Sequence, residues 1–168
     1  MVAGCQDCPV RIHGFSTLAL ILASGVLVLG CGETETETAD GCFGGVASFK
    51  SSLRQAPGPV LLGGTTPISD CLPRDQSAGD LVDFGEIATQ VATETGAAVS
   101  EPGPDGIKAA IDAGYLVGAM EKGAEDSEAI HAVLVERVRS AASNGLDGAS
   151  ESVRGHYEAG LEAGREVG

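Results

Sequence analysis

The chain contains no tryptophan, and aromatic residues make up only 4% of its 168 positions. Carbohydrate-binding modules usually present aromatic rings on which sugars stack, so this scarcity argues against that class. It also leaves leucine, valine, isoleucine and alanine to fill the core of any folded domain.

Basic residues are also scarce. The chain has 10 Lys and Arg against 24 Asp and Glu, which gives a formal net charge of −14. A nucleic-acid-binding protein needs Lys and Arg to neutralise phosphates, so we expect no nucleic-acid partner. The same charge argues against a broad electrostatic contact with anionic lipid headgroups, and it favours solubility at a crowded surface.

The sequence also lacks an apolar run long enough to cross a bilayer comfortably. Its most apolar stretch, Leu18–Leu29, has 12 residues, or about 18 Å as a helix. A bilayer core is roughly 30 Å thick and needs about 20 apolar residues. The hydrophobic region of a signal peptide, roughly 7–15 residues, fits the length better.

The apolar run ends in Val28-Leu29-Gly30-Cys31. Residues 11–31 resemble the signal peptide of a bacterial lipoprotein, whose lipobox ends in a small residue followed by the cysteine that receives the lipid. Val28 and Leu29 depart from the commonest pattern at the first two lipobox positions. The resemblance implies removal of residues 1–30, lipid attachment at Cys31 and a domain on the extracytoplasmic side of the cell membrane. The alternatives are an uncleaved single-span anchor and a simple secreted or buried segment.

The residues before the apolar run contain one arginine, Arg11, offset by Asp7. A true start at Val10 would give a shorter, positively charged region of the more usual shape. Cys5 and Cys8 form a C-x-x-C motif, which can be a redox pair or half of a zinc site. Because the motif precedes the signal peptide and has no second pair, we expect it to be discarded or never translated.

Residues 31–41 are predicted to form a tether. Glutamate and threonine alternate from Glu33 to Thr38, with no apolar residue to bury before Ala39. Such a segment is expected to be disordered and extended by its own charge. The folded domain is then predicted to span residues 42–168.

Cys42 and Cys71 remain once Cys31 carries lipid. In an exported protein an even pair of cysteines predicts a disulfide, here closing a loop of about 30 residues. The chain-entropy argument gives it a stabilisation of roughly 3.5 kcal/mol. The alternative is a pair of free, reactive thiols.

The apolar periodicity predicts an all-α bundle of four or five helices. An irregular segment over residues 60–73 should be closed by the disulfide, with a turn at Gly63 and Gly64. The predicted helices are a short one through Val46, Phe49 and Leu53 that ends at Pro57-Gly58-Pro59, one from Gly79 capped by Asp75 or Ser77, one over about Gly106–Lys122, one over Glu125–Ala142 capped by Ser127, and one from Ser150 to about Glu166.

Glycines recur inside two of these helices. The segment with Gly114 and Gly118 echoes the one with Gly160 and Gly164. Glycine within a helix costs about 1 kcal/mol relative to alanine, so its presence needs a reason. We predict a close backbone approach between helices, with Tyr115 and Tyr157 filling the space beside it.

Glu128 and His131 form a Glu-x-x-His pair, an arrangement that di-iron carboxylate bundles use in two copies. No second copy exists, since Val153 lies three residues before His156. We therefore expect no metal and no cofactor, and we expect His131 to half-face solvent beside the apolar stripe.

No G-x-S-x-G motif and no phosphate-binding loop occurs in the sequence. The sequence thus predicts no catalytic residues and a non-enzymatic binding or structural role in the cell envelope, with an unnamed envelope protein as partner. The competing hypotheses are an enzyme that uses His131 or His156, and a single-span membrane protein.

Overall fold

The computed structural model describes residues 36–125, 127 and 131–168. In this part of the chain the structure is an all-α bundle with one small hairpin, which confirms the predicted fold class. The five α-helices are α1 (Gly45–Leu53), α2 (Ala78–Ala98), α3 (Pro104–Ala124), α4 (Ala132–Ser143) and α5 (Glu151–Val167). Strands β1 (Leu61–Leu62) and β2 (Thr66–Pro67) form the antiparallel hairpin, and short 3₁₀ turns span Asp40–Phe43, Ile68–Cys71 and Asn144–Leu146.

Helix α3 is the centre of the bundle. Every residue from Asp112 to Met120 is buried, because α2, α4, α5 and the turn Ile68–Cys71 pack around it. The Tyr115 hydroxyl lies in this interior and accepts a hydrogen bond from the backbone N–H of Val60 at 3.0 Å. Burial raises the pKa of Tyr115, so the hydroxyl stays protonated.

Helices α3 and α5 pack backbone against backbone. A Cβ added to Gly160 would lie 2.2 Å from the carbonyl oxygen of Ile111, and one added to Gly164 would lie 2.2 Å from that of Tyr115. The contacts advance in the same direction along both chains, so the two helices run parallel. The predicted close approach at these glycines is confirmed.

A cluster of ion pairs links α3 to α4 and α5. Glu121 of α3 accepts hydrogen bonds from Arg139 of α4 at 2.5 Å and from Arg165 of α5 at 2.6 Å. Burial by itself would raise the pKa of Glu121, but the hydrogen bonds and charges of the two arginines outweigh it and lower the pKa. Glu121 therefore links three helices as a carboxylate.

The Cys42–Cys71 disulfide is present, as predicted, and it joins the turn before α1 to the turn before α2. Leu62 and Ile68, which lie within the closed loop, are buried against the core. The turn predicted at Gly63 and Gly64 connects β1 to β2, and both glycines have positive φ angles.

The folded domain begins earlier than the predicted boundary at Cys42. Thr36 pairs with Gln76, its backbone N–H donating to the carbonyl of Asp75 at 3.0 Å. Thr38 is only 3% exposed. Residues 36–41 thus belong to the body rather than to the predicted tether, because Thr38 finds a buried hydrogen-bond partner that sequence proximity does not reveal.

The helix caps agree with the sequence in two cases. Ser77 accepts a hydrogen bond from the backbone N–H of Asp80, and Ser150 accepts one from that of Val153. The prediction for α4 is wrong at its start. This helix begins at Ala132, and the Ser127 hydroxyl instead donates to the carbonyl of Ala124.

None of the helices described here combines the length and apolar character that a membrane span requires.

Candidate binding groove and buried histidine

A groove of about 800 Å³ runs between α2 and α4. Its lining on α2 extends from Leu81 to Glu94, which is about 20 Å of helix. The floor lies where the helices touch, since a Cβ added to Gly85 would be 3.2 Å from a methyl carbon of Leu134. Gly85 therefore lets α4 approach α2 closely while the side chains on either side stand apart.

Two valines form the apolar lips of this groove. Val82 on α2 is 66% exposed and Val133 on α4 is 69% exposed. Both are large apolar side chains left in water by the described fold, and both face the same cavity. Single exposed hydrophobic residues are ordinary on protein surfaces, whereas two that line one concave site favour a binding role.

Polar side chains of α2 line part of the groove. Thr89, Gln90 and Thr93 line its second half, and the Thr89 hydroxyl is buried without a hydrogen-bond partner among the described residues. Glu94 accepts hydrogen bonds from Lys50 at 2.6 Å and from Gln90 at 3.1 Å. These hydrogen bonds and the charge of Lys50 lower the pKa of Glu94, so this end carries a carboxylate.

The outer rim on α2 is acidic. Glu86 lines the groove, and Asp83 and Glu86 together line a neighbouring cavity of about 440 Å³ on the α1 side of α2. Neither carboxylate is in an ion pair with a described residue. Arg137 of α4 also lines the groove, and Lys50 pairs with Glu94, so the excess negative charge here comes from Asp83 and Glu86 and amounts to one unit.

A second candidate site is a buried chain of hydrogen bonds at the start of α4. His131 Nε2 lies 3.1 Å from Gln76 Oε1, and Gln76 Nε2 donates to Thr38 Oγ1 at 2.9 Å and to the carbonyl of Cys71 at 3.0 Å. These hydrogen bonds connect the start of α4, the disulfide-closed segment and the N-terminal residues of the domain.

The hydrogen bonds show that Nε2 of His131 carries a proton. The carbonyl of Cys71 can only accept, so the Gln76 amide nitrogen faces it and the Gln76 oxygen faces the histidine. His131 must therefore donate from Nε2, which leaves Nδ1 as a buried acceptor with no partner among the described residues. Burial lowers the pKa of His131, which agrees with a neutral ring.

The structure corrects the expectation that His131 half-faces solvent. The side chain is 0% exposed, because α4 begins only at Ala132 and His131 turns into the protein ahead of it. A continuous helix from Glu125 would place this ring beside the apolar stripe, half-facing solvent, and the later start of α4 removes that geometry. Glu128, its partner in the Glu-x-x-His pair, lies outside the described residues.

His156 is far less enclosed. Its Nδ1 is 2.7 Å from the carbonyl oxygen of Ser152, one turn earlier on α5, and so donates to it. Within the described ranges no group of three or more His, Cys, Asp and Glu side chains could hold a metal ion. Cys5, Cys8 and the lipid-attachment residue Cys31 lie outside the described residues.

Sequence reasoning missed the groove. Val82 falls off the apolar stripe of α2, which was the available signal on that helix. Apolar periodicity places Val133 on the buried stripe of α4, and this prediction is wrong, since Val133 is 69% exposed. An apolar residue outside the buried face of an amphipathic helix is exposed by default. Only the packing of α2 on α4 brings the two valines to one cavity.

The chain matches no protein-family model, no curated protein and no solved structure.

Proposed function

We propose that this protein is a lipid-anchored lipoprotein of the bacterial cell envelope, whose helical domain binds a partner in the α2–α4 groove and catalyses no reaction. The observation that carries the binding role is the groove itself, with Val82 and Val133 exposed at its lips. The anchoring role rests on the sequence Leu18–Cys31 and its resemblance to a lipobox signal peptide.

The size of the groove supports a binding role. A volume of about 800 Å³ lies within the roughly 300–1,000 Å³ typical of ligand sites. Its lining also combines an apolar half with hydroxyl, amide and carboxylate groups, which is the composition that lets a site select its ligand.

The surroundings of the histidines favour binding over catalysis. The His131 ring is closed off from solvent, so a substrate cannot reach it without a rearrangement of the start of α4. His156 is bonded to a backbone carbonyl of its own helix. Neither histidine contacts a carboxylate of the described residues, and a general base of the usual kind is oriented by such a group.

The experiment that tests the binding role is site-specific photo-crosslinking in the cells that make the protein. A photoreactive residue replaces Val133 in one strain and Val167 in another, since Val167 is also exposed but lies on α5 outside the groove. We expect a discrete adduct from position 133 and none from position 167. The absence of any adduct from position 133 would contradict the proposal.

The enzyme hypothesis has its own test. Under the proposal, His131→Gln and His156→Ala both restore the phenotype of a strain that lacks the protein. If either variant folds as the wild type does and yet fails to restore it, the histidine-dependent enzyme becomes the better hypothesis.

A further inference from the structure

We infer that the occupant of the α2–α4 groove is a basic amphipathic helix of a partner protein. This inference rests on the proposed binding role of the groove and specifies the chemistry of what binds there. It follows from the shape of the groove, from the order of apolar and polar groups along it, and from the sign of the charges at its rim.

The shape favours a helix. The α2 residues that line the groove recur in adjacent pairs every four positions from Leu81 to Glu94, so they form one continuous face. That face is about 20 Å long, the length of roughly 13 helical residues. A helix laid in a groove between two helices contacts it through residues at i, i+4 and i+7, as in other helix-in-groove complexes.

The polar half of the lining argues against a purely apolar occupant. An acyl chain along the whole groove would cover the exposed Gln90 amide and the exposed Glu86 carboxylate without offering either a hydrogen bond. Covering polar groups without partners is unfavourable, by roughly 1–3 kcal/mol for each neutral group. A peptide with polar side chains beside its apolar ridge avoids this penalty.

The rim charges determine the sign of the partner. Glu86 lines the groove and Asp83 lines the neighbouring cavity on α2, and neither is in an ion pair with a described residue, whereas Arg137 supplies a positive charge from α4. Lys or Arg on the partner would pair with these carboxylates at modest desolvation cost, because both are exposed. A second copy of this chain would instead bring its own net charge of −14 to the acidic rim.

The test uses two synthetic helical peptides of about 14 residues, matched to the groove length. Both carry leucine at i, i+4 and i+7, and they differ only in having Lys or Glu beside the leucines. The protein is used as isolated from membranes, held in nanodiscs of zwitterionic phosphatidylcholine, with empty nanodiscs as the blank. Binding is followed by the fluorescence anisotropy of a label on the peptide.

We expect the basic peptide to bind at least about tenfold more tightly than the acidic one at low salt, and this preference to shrink as salt screens the rim. The double variant Val82→Asn/Val133→Asn should lower the affinity of the protein for the basic peptide by about tenfold. It keeps the fold because both side chains are mostly in water and asparagine has a helix propensity close to that of valine. Val167→Asn is its control and should bind as the wild type does.

A second pair of variants tests the charge. Glu86→Gln should lower the affinity for the basic peptide by about threefold. The control is Glu158→Gln, since Glu158 is exposed on α5 away from the groove, and it should leave this affinity unchanged. Equal affinity for both peptides, or indifference to the valine variants, would overturn the inference. So would a dimer in sedimentation that Val82→Asn/Val133→Asn dissociates, which would identify a second copy as the occupant.

Failure of this inference is distinct from failure of the proposed function. If neither peptide binds but the photo-crosslink from position 133 persists, the groove binds a partner of other chemistry. If both are absent, the binding role itself is wrong.

Discussion

Gly114 of α3 lies directly against the backbone of Tyr157 of α5, where a Cβ would sit 2.0 Å from the Tyr157 carbonyl oxygen. Gly118 stands in the same relation to Leu161, at 2.1 Å. No side chain fits at either position without separating the two helices. The penalty of glycine within a helix is offset here by the contact between backbones that it permits.

Gly114→Ala is therefore expected to destabilise the domain by about 3 kcal/mol, because the added methyl overlaps rigid backbone rather than a movable side chain. The matched control is Gly155→Ala on α5, where a Cβ meets nothing within 4 Å. The control should be neutral or stabilising by up to about 1 kcal/mol. Urea unfolding followed by circular dichroism measures both, and equal effects would contradict the close packing of α3 on α5.

The disulfide carries its own prediction. Cys42→Ala/Cys71→Ala should lower the free energy of unfolding by roughly 3.5 kcal/mol, since the bridge spans a sequence separation of 29 residues and restricts the unfolded chain. Wild-type protein unfolded in the presence of a reductant should approach the stability of the variant. A double variant as stable as the oxidised wild type would show that the bridge adds nothing.

The Gln76 side chain is hydrogen-bonded to three buried groups, so replacing it should lower the stability of the domain strongly. Gln76→Ala leaves the Thr38 hydroxyl, the Cys71 carbonyl and His131 Nε2 without their partner. We expect a loss of roughly 2–3 kcal/mol in the free energy of unfolding. Gln90→Ala, at an exposed position on α2, should change it by less than about 0.5 kcal/mol. Similar losses for the two variants would contradict the network.

The buried ring of His131 predicts a dependence of stability on pH. Because burial lowers its pKa in the folded protein, the unfolded chain binds the proton first as the pH falls below the ordinary value of about 6.5. The contribution of His131 to the free energy of unfolding therefore has its full value above that pH. It declines as the pH falls from there towards the lowered pKa of the folded state.

The check compares urea unfolding of the wild type and His131→Gln at pH values on either side of this range. The glutamine amide can still donate to Gln76 but does not titrate, so the variant should show a shallower decline towards acid pH than the wild type. His156→Gln is the control and should keep the wild-type slope. An unchanged slope in His131→Gln would mean that protonation of His131 is not linked to folding.

Much of the fold could be predicted from the sequence, because its signals are local. The Ser77 and Ser150 caps and the glycines of α3 and α5 each report on their own helix. The Cys42–Cys71 pair followed from counting cysteines in a chain expected to be exported. Each of these features depends on residues a few positions apart or on composition.

The errors concern contacts between distant segments. Thr38 is buried because Gln76 reaches it, and His131 is buried because α4 starts later than its periodicity suggests. The groove exists because Gly85 allows α2 and α4 to approach while Val82 and Val133 stay outside the contact. These relationships depend on how helices cross, which the sequence of one helix does not contain.

The intact mass of the protein extracted from membranes with detergent decides whether the chain is lipid-anchored. We expect a species that begins at Cys31 and carries a diacylglycerol group, with or without a further acyl chain. A full-length, unmodified chain would contradict this expectation. The N-terminal segment would then be an uncleaved anchor, and Cys5 and Cys8 would become candidate functional residues.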